Sequence, residues 1–488
     1  MSFNYRDQWA SVGGHFPAHW HFFKLEELLE NAKGIAVGVM YPGDHTEKGI
    51  PLIKVGDVKG GYIASQPSFF ISPEVDEEYK RTRLNGTELL ITLVGNPGDC
   101  VVVEPHMAGW NAARALAVVR LKDTNLREWL RYILLSKPAK HLIDARLNTT
   151  VQKTLNLKDI RELGIPVPPK HERDVITKII SSIEQKTIVN SDINKTLEQM
   201  AQALFKSWFV DFEPVKAKIA VLEAGGSQED ATLAAMTAIS GKDADALVVF
   251  EREHPEQYAE LKTTAELFPS AMQESELGEI PEGWELSSLS EKIKLIGGGT
   301  PKRSEPEFWN GDICWYSVKD APADSDVFVI DTTEKITKKG LDKSSAKLLP
   351  IGTTIISARG TVGKLALTAA EMAMNQSCYG ISGGEFSGPL LTYLKVKQCV
   401  DVLKRNTHGA VFDTITTSTF DTVVTLSASK IVNHRFEKIV TPLFNDIENN
   451  LRTNASLTQL RDTLLPKLLS GEITLPEAEQ AVSEAENV

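Results

Sequence analysis

Cysteine is scarce in this chain. Only Cys100, Cys314, Cys378 and Cys399 occur in 488 residues, and no two have CxxC spacing. That is too few for a disulfide framework and excludes a zinc ribbon or a dithiol redox motif, so the four read as reduced and mostly buried. No stretch reaches the roughly 18 apolar residues that a membrane span needs. The opening MSFNYRDQWASVGG has no charged segment leading into an apolar run, so the expectation is a cytoplasmic protein with no membrane partner.

An excess of basic charge is missing too. The formal net charge is −12, yet its distribution matters more than its sum. Residues 214 to 282 hold 14 acidic and 5 basic side chains, and the tail after Ser470 adds five Glu. The remainder is near neutral, with room for local basic faces.

Catalytic signatures are absent. A base-flipping amino-methyltransferase would carry an Asn/Asp-Pro-Pro-aromatic loop and a Gly-rich turn for S-adenosylmethionine; NPGD at 96 to 99 is only a turn. A phosphate-cradling GxxxxGK[ST] is not found either, since RGTVGKL (359 to 365) is too short and GGGTPKR (297 to 303) lacks the final Lys-Ser/Thr. Glu78 and Lys80 in DEEYK imitate a metal nuclease weakly, and His15, His19 and His21 lack a fourth ligand at a recognisable spacing. The expectation is a chain with no catalytic residue, no metal site and no cofactor of its own.

What is present is a long repeat. NKTLEQMAQALFKSWF (194 to 209) returns 260 residues later as NASLTQLRDTLLPKLL. The match begins near Ile176 and Phe436. Ile176, Ile183, Asn190, Leu197 and Leu204 recur every seven residues, interleaved with Ile179, Lys186, Ile193, Met200 and Ser207. The second copy gives Phe436, Leu443, Asn450, Leu457 and Leu464 with Ile439, Asp446, Thr453, Leu460 and Lys467. Two interleaved seven-residue series predict a coiled-coil seam, and an Asn at the same seam position of each copy fixes register at a cost in stability. The two helices are expected to pair with each other, antiparallel, with Asn190 opposite Asp446 and Lys186 opposite Asn450.

Upstream of each helix lies a block of roughly 150 residues, and the blocks correspond loosely. IPLIKVGDV (50 to 58) matches ICWYSVKDA (313 to 321); GTELLITLVGNPGDCVVV (86 to 103) matches GTTIISARGTVGKLALT (352 to 368). AGWNAARALAVV (108 to 119) parallels AMNQSCYGIS (373 to 382), and TVQKTLNLKDI (150 to 160) parallels AVFDTITTSTF (410 to 420). These read as short strands broken by Gly turns. A period this long is a tandem duplication, each copy large enough for its own core.

On these segments, with LEQMAQALFKSWFVDFEPV (197 to 215), GEIPEGWELSSLSEKI (278 to 293), GGTPKRSEPEFWNGDICWYSVKD (298 to 320), MNQSCYGI (374 to 381) and LLPKLLSGEI (464 to 473), the chain resembles the specificity subunits of type I restriction-modification enzymes. The resemblance spans nearly the whole chain. It implies an α+β architecture: target-recognition domain 1 (1–170), central repeat helix (171–213), acidic helical connector (214–282), target-recognition domain 2 (283–430), distal repeat helix (431–470) and acidic tail (471–488). It further implies double-stranded DNA as ligand, two methyltransferase subunits as partners, and restriction/translocase subunits in the full complex. S-adenosylmethionine, ATP and Mg²⁺ would belong to those partners. Two features depart from the pattern: where the second block has Asn375 and Gln376 the first has Asn111 and Ala112, and the connector is long for the family.

Candidate DNA contacts are the polar and basic side chains on loops. The first block offers Lys80, Arg81, Arg83, Asn111, Arg114, Lys137, Lys140 and Arg146; the second offers Thr300, Lys302, Arg303, Lys319, Arg359, Lys364, Asn375 and Gln376. Arg and Lys neutralise phosphates, and Asn or Gln pairs bidentately with an adenine edge. A rod of about 37 residues is roughly 55 Å long, about 16 base pairs of duplex, so paired helices would act as a ruler between two short read segments. The competing reading is a coiled-coil scaffold without sequence-specific DNA contact.

Overall fold

The computed structural model describes residues 4–486 except 60, 64–66, 148–152, 277, 324 and 408–413, so the ends of the 150–160/410–420 match lie outside the described residues. The chain divides into two units, 1–185 with 457–488, and 186–456.

In the first unit, runs such as Leu89–Thr92, buried at every position, form the four-stranded sheet Ile35–Val37, Leu116–Val119, Leu89–Thr92, Cys100–Val102. A strand covered on both faces has no polar alternation to show, which is why the run is continuously apolar. A smaller sheet orders Phe70–Ile71, Ile50–Ile53 and Asn111–Ala112, the last pair parallel. His21–Lys24 and Gly164–Val167 close the block as an antiparallel pair. The core gathers Trp20, Trp129 and Ile133 with Ile176, Ile180 and Ile183 of the first long helix and Leu457, Leu464 and Leu468 of the second. The acidic tail is no loose end: Leu475–Glu486 is a helix that buries Ala478 and Val482 in this core.

The second unit repeats the plan. Thr354–Ser357, again buried throughout, sits in a five-stranded sheet ordered Lys294–Gly297, Cys378–Ser382, Thr354–Ser357, Leu365–Thr368, Phe328–Val329. A three-stranded sheet orders Lys335–Ile336, Trp309–Tyr316 and Met372–Met374, with the last pair parallel. Glu285–Ser288 pairs antiparallel with Val424–Ser427. The connector forms four helices, Glu213–Glu223, Gln228–Ser240, Ala244–Glu253 and Pro255–Glu266. Met236 and Leu247 carry their apolar faces into the core, and Phe268, just past the last helix, sits edge-on to Trp208 at 4.8 Å. Arg435 of the second long helix reaches Glu260 of the connector at 2.8 Å.

Single hydrogen bonds recur in both copies. Thr92 N–H donates to Asp99 O at 2.7 Å as Ser357 N–H does to Lys364 O at 2.9 Å; Leu155 N–H donates to Leu93 O as Ile415 N–H does to Ala358 O. Lys54 N–H meets the Asp57 carboxylate, and Ser317 N–H the Asp320 carboxylate. The duplication read from sequence is thus a duplication of backbone geometry.

The long helices run Lys170–Phe209 and Lys430–Ser470. Within the second unit Asn190 donates to Asn454 at 2.8 Å and Asn450 to Asn194 at 2.9 Å, so the helices are antiparallel there. Within the first unit Arg461 of the second helix lies 3.7 Å from Glu184 of the first. Ile183, Asn190, Leu457 and Leu464 are buried, and Leu197, Leu204, Leu443, Asn450 and Leu460 partly so. The interleaved series needs correction. Lys186, Ile193, Met200 and Asp446 are exposed, and the buried or half-buried line passes instead through Ile180, Thr187, Asn194, Ala201 and Trp208, and through Val440, Ile447, Asn454, Arg461 and Leu468. A heptad seam alternates steps of three and four residues; the step after the first series is four, where the sequence reading took three. The Asn layers consequently meet each other, and Asp446 and Lys186 do not enter.

Candidate nucleic-acid interface

The parallel strand pairs build the same ledge in both units. Leu52 and Ile53 pair with Asn111 and Ala112, and Trp315 and Tyr316 pair with Ala373 and Met374. The next residue is pinned in each: Ala113 N–H donates to Ile53 O, and Asn375 N–H to Tyr316 O, both at 2.9 Å. From the other side, Val39 N–H donates to Ala112 O at 2.7 Å and Gly299 N–H to Met374 O at 2.9 Å. Gly38 and Gly298 precede those donors, and in each a Cβ would overlap a ledge carbonyl, of Ala112 or Asn375 respectively, so only glycine permits the approach.

These bonds revise the correspondence read from sequence. Ala113 is the counterpart of Asn375 and Arg114 of Gln376, two residues beyond the Asn111–Ala112 pairing. Asn111, expected from sequence on an exposed reading loop, is instead the counterpart of Ala373 on the paired strand. It is fully buried; its amide donates to Asp76 at 2.9 Å, and its carbonyl oxygen accepts from Thr82 at 2.8 Å and Ala112 N–H at 2.9 Å. A buried amide must satisfy its own hydrogen bonds, and this one does so inside the block.

The other candidates of the first unit divide by partner. Arg83 pairs with Asp76 and with Glu77 at 3.1 Å, which raises the guanidinium pKa through those hydrogen bonds. Arg81 donates to Lys33 O at 2.9 Å, Lys80 pairs with Glu77 at 3.0 Å and Lys140 with Asp99 at 3.3 Å. Arg146 is half-buried and donates to Leu142 O at 2.9 Å; burial lowers its pKa. Arg114 and Lys137 are exposed.

In the second unit a tryptophan-braced loop carries several candidates. Trp315 Nε1 donates to Gly299 O at 2.9 Å and Trp309 Nε1 to Lys302 O at 3.2 Å. Arg303 lies over the Trp309 ring at 3.9 Å and pairs with both oxygens of Glu334, which holds that carboxylate below its usual pKa. Thr300 donates its hydroxyl to Gln376 Oε1. Asn375 is half-buried, its Oδ1 accepting from Ser377 N–H at 2.9 Å. Lys302, Lys319, Arg359, Lys364 and Gln376 are exposed. Sequence reasoning missed Trp309, Trp315 and Glu334, which shape this loop; the tryptophans were legible in EFWNGDICWYS as large aromatics beside a Gly-Lys-Arg loop.

Among the described residues there is no group of three or more His, Cys, Asp or Glu that could hold a metal. His19 instead meets Glu172 at 2.8 Å on the surface. The four cysteines are free and buried, and burial pushes the Cys100 and Cys378 thiols up to about 12, away from nucleophilic reactivity. No helix among the described residues is long and apolar enough to cross a membrane.

Residues 17–199 and 281–456 match the family described as Type I restriction modification DNA specificity domain. The chain is 36% identical over 360 residues to the HindI specificity subunit of Haemophilus influenzae, covering 71% of this chain and 78% of that protein. It is 27% identical over 186 residues to the EcoBI specificity subunit of Escherichia coli, 38% of this chain and 39% of that one. Among solved structures, the type I restriction-modification S subunit from M. genitalium aligns over 92% of this chain and 96% of its own, at 14% identity and a TM-score of 0.47.

Proposed function

The chain belongs to the type I restriction modification DNA specificity family, a non-catalytic DNA specificity subunit, and from that premise we propose that it reads a bipartite, asymmetric duplex site, one segment per block. The observation that carries this reading is the ledge built twice with different side chains: Arg114 follows it in one unit and Gln376 in the other. Equal scaffolds with unequal side chains give two related recognition surfaces with different preferences. The paired long helices set the unread gap between the segments. The candidate loops divide the labour: Lys137, Lys302, Lys319, Arg359 and Lys364 hold phosphates, and Lys80, Arg81, Arg83, Lys140, Arg146 and Arg303 shape the loops or shift onto the backbone on binding.

The partners are two methyltransferase subunits and, in the full complex, restriction/translocase subunits, which bring S-adenosylmethionine, ATP and Mg²⁺. A docking surface for a methyltransferase subunit is the apolar stripe that the seam leaves outside: Val189, Ile193 and Met200 are 40%, 42% and 49% exposed on one long helix. Large apolar side chains in a row on a helix face favour burial by another chain.

Selection from a random duplex library by the assembled methyltransferase tests the reading. Enrichment of a split motif with an unread centre is the expected result. A scaffold without sequence-specific contact would enrich nothing, and that outcome would end the proposal.

A further inference from the structure

Positions 114 and 376 are built alike and hold different side chains. Each stands one residue past a backbone amide that is bonded into the parallel strand pair, Ala113 to Ile53 and Asn375 to Tyr316. Each ledge is clamped against a glycine that tolerates no side chain. Both side chains are exposed. A rigid backbone with an exposed long polar side chain is what direct readout of a base edge requires, because the donors and acceptors must be held to within a fraction of an ångström.

The other candidates lack this equivalence. Lys319, Arg359 and Lys364 correspond through matched backbone bonds to Gly56, Val94 and Asp99, none of them a cation. They therefore fit phosphate contacts particular to one unit. Arg303 is occupied by Glu334 and the Trp309 face. Asn375 turns its carbonyl oxygen to Ser377, and its counterpart Ala113 has nothing to read with.

Resting on the reading of the chain as a two-part DNA reader, we propose that Arg114 and Gln376 are equivalent specificity-determining positions, Arg114 taking a guanine in the first segment and Gln376 an adenine in the second. The guanidinium presents two parallel donors that match guanine O6 and N7. The carboxamide presents one acceptor and one donor, matching adenine N6 and N7. Thr300 donates to Gln376 Oε1 and so orients the amide, leaving the second lone pair of that oxygen and the Nε2 hydrogens for the base.

The test uses the full chain assembled with methyltransferase subunits and selection from a randomised duplex library, for wild type, R114Q, Q376R and the two alanine variants. R114Q is expected to change one base pair of one segment from G·C towards A·T, and Q376R one pair of the other segment from A·T towards G·C, each leaving the opposite segment unchanged. R114A and Q376A are expected to lose roughly ten- to a hundredfold of discrimination at that one pair. Variants that select the wild-type motif, or that lose affinity equally for all sequences, overturn the assignment while the two-part reading stands. A wild-type complex that enriches no motif overturns the reading beneath it instead. Retained co-purification with the methyltransferase subunits shows that each variant is folded.

Discussion

Asn190 donates its side-chain amide to Asn454 at 2.8 Å, and Asn450 donates to Asn194 at 2.9 Å. Asn190 corresponds to Asn450, and Asn194 to Asn454, in the 260-residue repeat, so the two bonds exchange when the helices do. Over this stretch, within the second unit, the helix pair is two-fold about a point between these layers. Asn190 and Asn194 are buried amides, where an apolar pair would hold the helices more strongly; what the amides supply is register.

A single Asn190→Leu substitution leaves Asn454 without its donor, and the expected cost is about 1–2 kcal/mol of unfolding free energy. Combining it with Asn454→Leu should recover most of that loss, because both polar groups then go together. Chemical denaturation of the four proteins of the cycle measures it; additive losses would show that the two amides do not interact in solution.

Lys395 gives a pH dependence. Burial pushes its ammonium down to about 8, and the charge of Lys292 adds to the shift. The unfolded chain binds this proton up to about 10.5, so between about pH 8 and 10.5 the unfolded state holds more protons, and stability rises with pH across that window. Below pH 8 the cost of the buried charge is fully present. Lys395→Met should therefore stabilise the protein at neutral pH by about 1–2 kcal/mol, allowing for partial exposure, with the gain fading near pH 10.5. Melting curves from pH 7 to 10.5 check this, and a constant gain would place the effect in packing rather than in charge.

The duplication and its strands were legible because period-two and continuous apolar runs survive in both copies, as in LLIT and TIIS. The seam was half legible. Leucine and asparagine at seven-residue spacing announce a coiled coil, but Ile193 and Met200 are as apolar as true seam residues, and only packing shows that they face outward. The ledge was legible to within two residues. Asn111 aligned with Asn375 is the better match by residue type, yet the backbone bonds make Arg114 the counterpart of Gln376, and no composition pattern encodes those bonds. The pairing of Arg303 with Glu334, 31 residues away in sequence, was not legible either, since opposite charges at that separation carry no local signal.

Salt dependence separates the loop cations. Lys364, on the exposed turn after Thr354–Ser357, should hold a phosphate, so Lys364→Ala should weaken binding of all duplexes alike and reduce the log–log salt slope by about 0.9. Glu334→Gln, which releases Arg303 from its carboxylate, should act in the opposite direction, raising affinity and steepening the slope. An unchanged slope in the first variant removes Lys364 from the interface.

The two-fold helix pair makes a stronger demand on a fragment ending near residue 215. It contains the first recognition block and the helix Lys170–Phe209, and without Lys430–Ser470 its seam is bare. A bare apolar seam finds a partner, and the nearest equivalent is a second copy of itself. In such a dimer Asn190 of each chain faces Asn194 of the other, which reproduces both amide bonds of the intact protein. The cost lies further along: Leu468 and Leu469, packed in the first core, are replaced by the larger Trp208 and Phe209, and the packing of Ala478 and Val482 is lost. The expected outcome is a dimer at micromolar concentration, weaker than the intramolecular pair and weakened further by Asn190→Ala. A two-fold dimer reads two-fold DNA, so with methyltransferase partners the fragment should select a palindrome made of the first segment and its inverted copy. Sedimentation equilibrium and duplex selection decide it. A fragment that stays monomeric, or a dimer that selects a non-palindromic site, would falsify the idea that the two helices are interchangeable halves of one device.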